Sequence, residues 1–174
     1  MNLIGNKVIL RGIEIEDADL LLELINDPET EYLLGGWSFP VSSIKQKEWI
    51  QKLDNGTSTL RCIIQDKDSG ESVGTIILNK IDYKNGNAAI HIKIANGDYR
   101  GRGYGTDAVT TVIRYAFEEL RLHCVYAQIN SDNIGSQKLF SKCGFAEEAE
   151  LKDRIYKKGN YLSVKLYSIF NEQI

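Results

Sequence analysis

The chain has no apolar run long enough to cross a bilayer, and its first residues carry no apolar segment of the kind a secretory leader needs. No membrane association is expected, and a cytoplasmic location follows. Cysteine is scarce. Cys62, Cys124 and Cys143 make an odd number at no metal-ligand spacing, so neither a disulfide framework nor a zinc cluster is expected. Free thiols in a reducing compartment are the simple reading. Positive charge has no surplus either: 21 lysines and arginines stand against 24 acids, for a net charge of −3. Non-specific nucleic-acid binding, which basic patches drive, is therefore not expected. Internal repeats, linkers and low-complexity segments are all missing.

What remains is ordinary for a globular chain. The 174 residues are 43% hydrophobic and 26% charged, which suits one domain over 1–174 with a sizeable core. The chain is organised around the stretch from Ala88 to Leu120. Ala88 to Ile94 reads as a strand, and Tyr99-Arg100-Gly101-Arg102-Gly103-Tyr104-Gly105 as a glycine-rich loop. Val109, Val112, Ile113, Ala116, Phe117 and Leu120 then recur at the three- and four-residue spacing of a buried helix face. A glycine-rich turn feeding a helix start suits an anion. Unpaired N–H groups point out of the first turn, the helix dipole adds partial positive charge, and the missing Cβ atoms allow close approach. Arg100 and Arg102 add side-chain charge. The plainer alternative is that these glycines only make a tight turn.

Two familiar nucleotide loops fit poorly. A P-loop needs Gly-Lys-Ser/Thr, and Gly105 is followed by Thr106-Asp107. The dinucleotide fingerprint needs Gly-x-Gly-x-x-Gly and a later acid for the ribose. This loop has Gly-x-Gly-x-Gly, and the next strand ends at Ile129-Asn130 without a carboxylate.

Arg100-x-x-Gly103-x-Gly105 resembles instead the pyrophosphate signature of the GNAT superfamily of acyl-CoA-dependent N-acyltransferases. Asn130-Ser131-Asp132-Asn133-Ile134-Gly135-Ser136, Leu139-Phe140 and Lys142-Cys143-Gly144-Phe145 resemble the Asn-x-x-Asn-x-x-Ser and Lys-x-Gly-Phe segment of one branch. That branch acetylates ribosomal-protein N-termini and, in close relatives, spermidine. Leu10-Arg11-Gly12-Ile13, Glu16-Asp17-Ala18 and Asp27-Pro28 are similar to it as well, so the resemblance spans nearly the whole chain. It implies acetyl-CoA as cofactor, no metal, and a primary amine as acceptor, either a protein N-terminus or a small polyamine. The cofactor-binding residues it implies are Ile92, Lys93, Ile94, Arg100, Gly101, Arg102, Gly103, Tyr104, Gly105, Thr106, Asn133 and Phe140. It also implies that the segment from Glu29 to Ser43 walls the acceptor pocket, with Glu31, Trp37 and Phe39 as substrate-binding candidates. Trp37 and Phe39 could equally just cover a sheet edge.

Along the chain, Lys7 to Ile13 reads as a strand and Glu16-Asp17 as the opening of a helix carrying Leu20, Leu21, Leu24 and Ile25. Pro28 marks its end, and the glycines and proline of 29–43 argue for a loop. Ser42 or Ser43 caps a helix to about Leu53, which Asn55-Gly56 ends. Thr59 to Gln65 and Ser72 to Asp82 are strands, and Asn85-Gly86 is a hairpin signal into the Ala88 strand. Cys124 to Ile129 follows the central helix and is expected to lie parallel to that strand. Asn133 caps a helix closing at Gly144, and a hairpin around Lys157-Lys158-Gly159-Asn160 ends the chain. The order predicts an α/β fold: a mixed, mostly antiparallel twisted sheet of about seven strands flanked by about four helices. Oligomeric state is not readable, and a homodimer stays open.

Acetyl transfer requires that the amine lose a proton and the departing thiolate gain one. Many GNAT enzymes have a glutamate where Ala89 stands. His91, two residues on and on the same strand face, is the candidate base, with Glu14, Glu29 and Glu31 as others. A packed, hydrogen-bonded histidine is the plain alternative. Many relatives place a tyrosine where Phe140 stands, so Ser136 is the candidate proton donor; its other role is a turn of the helix cap. Cys143 has no activating partner in sequence and is not a nucleophile candidate. A catalytically silent CoA-binding module is the competing function, and a nucleotide-binding protein of another class a distant third.

Overall fold

The computed structural model describes residues 1–34, 39–53, 56–95 and 99–172. Trp37, and Asn55 of the expected turn, lie outside the described residues. The chain opens with β1 (Leu3–Ile4) and β2 (Val8–Arg11), which pair antiparallel. A 3-10 turn at Ile15–Asp17 leads into α1 (Ala18–Asn26), followed directly by α2 (Pro28–Leu34) and then by α3 (Ser43–Gln51). The Ser42 side chain caps α3 by accepting the Lys45 N–H at 3.2 Å.

Next comes the antiparallel meander β3 (Leu60–Asp66), β4 (Ser72–Asp82) and β5 (Asn87–Ile94), with β3 also pairing β2. The long helix α4 (Tyr104–Glu118) crosses over to β6 (Cys124–Asn130), which lies parallel to β5. After α5 (Ile134–Lys142), the hairpin β7 (Ala146–Lys157) and β8 (Asn160–Phe170) completes the sheet. Its order is β1-β2-β3-β4-β5-β6-β8-β7, so the last strand inserts beside β6 and leaves β7 at the edge.

Among the described residues there are eight strands and five helices, one of each more than expected. The added strand is the two-residue β1. The added helix is α2, where glycine and proline had suggested a loop. Pro28 is its first residue rather than a stop. Proline loses nothing at that position, because its missing N–H would have had no helical partner. Asp27 caps it: the carboxylate accepts the Thr30 N–H at 2.7 Å.

The turn before β5 also differs. Four residues, 83–86, connect Asp82 to Asn87. The Asp82 carboxylate takes the N–H groups of Lys84 and Asn85 at 3.0 and 2.9 Å. A left-handed Lys80 (φ 52°), within the irregularity between Asn79 and Asp82, shifts the register, so Asn85-Gly86 is half of a longer turn. The closing hairpin does use a two-residue turn, Lys158-Gly159, with both φ positive.

The main core lies between α4, α5 and one face of the sheet. Val109, Val112, Ile113 and Ala116 pack with Ile76, Leu78, Ala88 and Ile90. Each fully buried aliphatic side chain there contributes about 1.5–3 kcal/mol. A smaller cluster of Ala18, Leu21, Ile50 and Ile63 seats α1 and α3 on the opposite face.

Candidate active site

β5 and β6 are ladder partners only over Asn87–Ala89 and Cys124–Tyr126. Beyond those pairs the two strands continue, β5 to Ile94 and β6 to Asn130, without pairing each other. The sheet therefore opens in its middle and leaves one side of the Ile92–Ile94 backbone facing a cleft. The cleft holds about 690 Å³. Its walls are Ile92, Lys93 and Ile94 of β5, the loop residues Arg100, Gly101 and Gly103, and Tyr104, Gly105 and Thr106 of α4. Asn133, Ser136, Lys138, Leu139 and Lys142 come from the α5 side, and Glu29, Thr30, Leu33 and Leu34 from α2.

Gly101 and Gly103 have φ of 77° and 90°, a backbone region costly for residues with a Cβ, and Gly103 is the N-cap of α4. The loop is braced from β2. The Asp107 carboxylate, in the first turn of α4, accepts the N–H groups of Asn6, Lys7 and Val8 at 3.1, 2.7 and 3.0 Å. Lys7 Nζ donates to the Arg102 carbonyl at 3.1 Å. This bracing has no local sequence signature, because the partners stand about a hundred positions apart. Gly74 allows another close approach: a Cβ there would lie 2.1 Å from the Lys93 carbonyl oxygen.

Three side chains hang α2 over the cleft. Asn130 Nδ2 donates to the Tyr32 carbonyl at 3.1 Å, and Asn133 Nδ2 to the Leu33 carbonyl at 3.3 Å. The Tyr32 hydroxyl donates to Asp132 at 2.7 Å. From the other side the β7–β8 hairpin reaches in. Lys157 pairs with Glu31, and Lys158 Nζ lies 4.5 Å from the centre of the Tyr32 ring.

Most residues singled out in the sequence meet at this cleft, and some do not. Ser136 is half-buried and lines it, while its N–H caps onto Asn133 Oδ1 at 3.0 Å. Phe140 does not line it. It is 2% exposed and packed edge-on against Phe145, with centroids 5.0 Å apart. Arg102 also lies off the cleft, with its guanidinium over the Tyr104 ring. Phe39 is 71% exposed. Glu31 is joined to Lys157 rather than lining the wall. His91 shares the strand face of Lys93 but stays outside the lining. Desolvation, then Lys80 and Lys93, hold its imidazole below the ordinary histidine range. Glu14 lines a separate cavity near the start of the chain. Glu29 lines the cleft and pairs with Arg100 at 3.2 Å, bridging α2 and the loop.

Sequence reasoning missed Thr30, which is buried at 3% exposure, and the lysines Lys138 and Lys142. The spacing of those lysines on α5 was the available signal. Burial raises all three thiols, Cys62 to about 11, so none is a ready nucleophile. Among the described residues no group of acids, histidines and cysteines could hold a metal, and no helix is long and apolar enough to cross a membrane.

The donor set suits acyl-CoA. A helix N-terminus opened by two left-handed glycines suits an anion such as a pyrophosphate, and the edge of β5 past its pairing with β6 suits an amide-bearing arm. Residues 7–146 match the family described as acetyltransferase (GNAT) domain. The chain belongs to the GNAT acetyltransferase family. Like its members it is an acetyl-CoA-dependent N-acetyltransferase. It is 31% identical over 173 residues to the uncharacterized N-acetyltransferase p20 of Bacillus licheniformis, covering 96% of this chain and 94% of that one. It is 28% identical over 179 residues to YdaF, a candidate ribosomal N-acetyltransferase of Bacillus subtilis strain 168, with 98% and 94% covered. In fold it is similar to the spermidine N-acetyltransferase from Vibrio cholerae in complex with CoA and spermine. The TM-score is 0.87, the identity 24%, and the coverage 95% of this chain and 96% of that one.

Proposed function

We propose that a primary amine enters the cleft from the α2 side and attacks the acetyl group directly, in a ternary complex. The observation that carries this reading is the parting of β5 from β6 beside the glycine-rich start of α4. Acetyl-CoA, when bound, supplies a thioester carbon open to the amine and a sulfur that departs as thiolate. The backbone of Ile92–Ile94 would hold the pantetheine arm as an added strand is held, and its N–H groups would polarise the thioester carbonyl. Backbone amides at the start of α4 would hold the pyrophosphate, and Arg100, Lys138 and Lys142 of the cleft lining would add positive charge for it.

Ser136 gives its hydroxyl proton to the departing sulfur and recovers it from solvent. The incoming ammonium, of ordinary pKa near ~10.4, loses its proton to His91 through solvent. A depressed His91 is neutral at pH 7 and able to accept. The acceptor is a protein N-terminus or a small amine in a cytoplasmic setting, bounded by α2.

The test is release of free CoA thiol with a panel of primary amines, beside a thermal-shift titration with acetyl-CoA. Turnover with at least one amine supports the reading. A shift in melting temperature with no turnover on any amine would make the protein a silent CoA-binding module.

A further inference from the structure

We infer that the acceptor carries a carboxylate close to its amine, as a free amino acid does, and that Lys93 and Thr30 hold that carboxylate. The inference rests on the acetyltransferase reading of the same cleft and names its substrate class.

Four observations lead there. Lys93 is half-buried on β5 and lines the cleft, and among the described residues its ammonium has no hydrogen bond or ion pair. Desolvation lowers its pKa, and the field of Glu31 opposes that only in part. A desolvated, unpartnered cation gains strongly from an incoming anion.

Thr30 lies on the same cleft, is 3% exposed, and its Oγ1 has no hydrogen-bond partner among the described residues. Its backbone N–H is already taken by Asp27, so only the hydroxyl remains to be satisfied. Buried hydroxyls without partners are rare in folded proteins, and a water or a ligand atom supplies the missing bond.

The acids that would attract a polycation are also engaged. Glu31 is paired with Lys157, and Glu29 with Arg100. Asp132 takes the Tyr32 hydroxyl, and Lys138 and Lys142 add positive charge along α5. Lys80 adds a further positive charge on this side, close enough to act with Lys93 on the neutral His91.

Finally, the backbone at Lys93 is closely packed against β4. The Gly74 contact with its carbonyl presses β4 and β5 together at that residue. A carboxylate held between Lys93 Nζ and Thr30 Oγ1, both on the lining of this one cleft, would satisfy both groups.

The experiment compares free amino acids with their carboxamides, and with spermidine, as acceptors for the full-length enzyme. The amino acids should show kcat/KM about ten- to a hundredfold above the carboxamides, the range expected for losing one charge-assisted hydrogen bond. Lys93→Met should erase that preference by raising acceptor KM while leaving the acetyl-CoA KM unchanged. Thr30→Val, which keeps shape and loses only the hydroxyl, should raise acceptor KM several-fold without lowering the melting temperature. Lys93→Glu should shift preference toward spermidine.

Preference of the native enzyme for carboxamides or spermidine would overturn the inference. So would a Lys93→Met effect confined to the acetyl-CoA KM, which would place the ammonium on the cofactor. Either result leaves acetyl transfer intact, whereas turnover of no amine at all would remove the acetyltransferase reading itself.

Discussion

The side-chain amide of Asn133 donates to the Leu33 carbonyl at 3.3 Å while its oxygen accepts the Ser136 N–H at 3.0 Å. One side chain thus ends α2 and begins α5, and it couples the acceptor wall to the candidate proton donor. Asn133→Asp keeps the acceptor for the cap but loses the donor to Leu33. It should cost less than about 1 kcal/mol of stability, the usual scale of a whole N-cap. Acceptor KM should nevertheless rise. Asn133→Ala should lose both effects. Steady-state kinetics beside a urea titration separate them, and a native acceptor KM in Asn133→Asp would make the α2 tether irrelevant.

Ser136→Ala should lower kcat with little change in acetyl-CoA affinity. The loss should lie at or below the low end of the about 10²–10⁴-fold typical of a general acid, because water can substitute and a thiolate leaves readily. Phe140→Tyr is not expected to rescue it. Phe140 is buried against Phe145 and off the cleft, so a hydroxyl there would be desolvated, at about 1–3 kcal/mol. Rescue of kcat by the double variant would show that the ring reaches the cleft.

His91 should appear in the pH profile. Its pKa is lowered by desolvation and by Lys80 and Lys93, so the acid limb of kcat/KM should have its midpoint below ~6.5. His91→Gln should remove that limb. An unchanged limb in the variant would leave His91, exposed on β5, without a part in proton transfer.

Gly105→Asp should abolish the acetyl-CoA-induced rise in melting temperature, which follows from ligand binding to the native state. Gly105 is the residue to use because a Cβ there meets only Leu139 and Ile92 side chains, at 3.4 Å or more. The fold should therefore survive, and a carboxylate would stand where the pyrophosphate binds. A normal shift in the variant would move the phosphate site elsewhere.

Acid stability should depend on Asp17. This buried carboxylate receives Arg11 twice at 2.8 Å and the Glu14 N–H at 2.8 Å. Desolvation opposes ionisation, but those donors outweigh it and lower the pKa. A lowered folded-state pKa means the contribution is present above the unfolded value of about 3.9 and is lost as pH falls through the folded value. Urea midpoints of the native protein should drop through that acid window, and those of Asp17→Asn should start lower and drop less. Parallel curves would assign the acid sensitivity to other carboxylates.

The features legible in the sequence were the local ones. Helix α4 announced itself by periodicity, and Val109, Val112, Ile113 and Ala116 are its buried face. Asn133 and Gly144 marked the ends of α5 by cap chemistry, and Gly144 does have φ of 91°. The loop glycines stood out by composition. α2 was not legible, because Asp27-Pro28 reads equally as a stop or as a cap with proline in the first turn, and only the Asp27–Thr30 bond decides. Phe140 shares a helix face with Ser136 by spacing, yet one side chain points to the core and the other to the cleft. Spacing gives an angle around the helix, while tertiary packing decides what lies at that angle. The pairing of Glu31 with Lys157 joins residues 126 positions apart, and no pattern on either segment foretells it.

The way α2 is held has a consequence for how such an enzyme diversifies. This helix is tied to the sheet by side chains. It hangs from the side chains of Asn130, Asp132 and Asn133 on one flank and of Lys157 and Lys158 on the other. The loop and α4, by contrast, are tied to β2 through Asp107 and Lys7. Acceptor choice can therefore drift by rewriting one short helix and the tip of one hairpin. The loop and the start of α4 on the opposite bank of the cleft need not change with it.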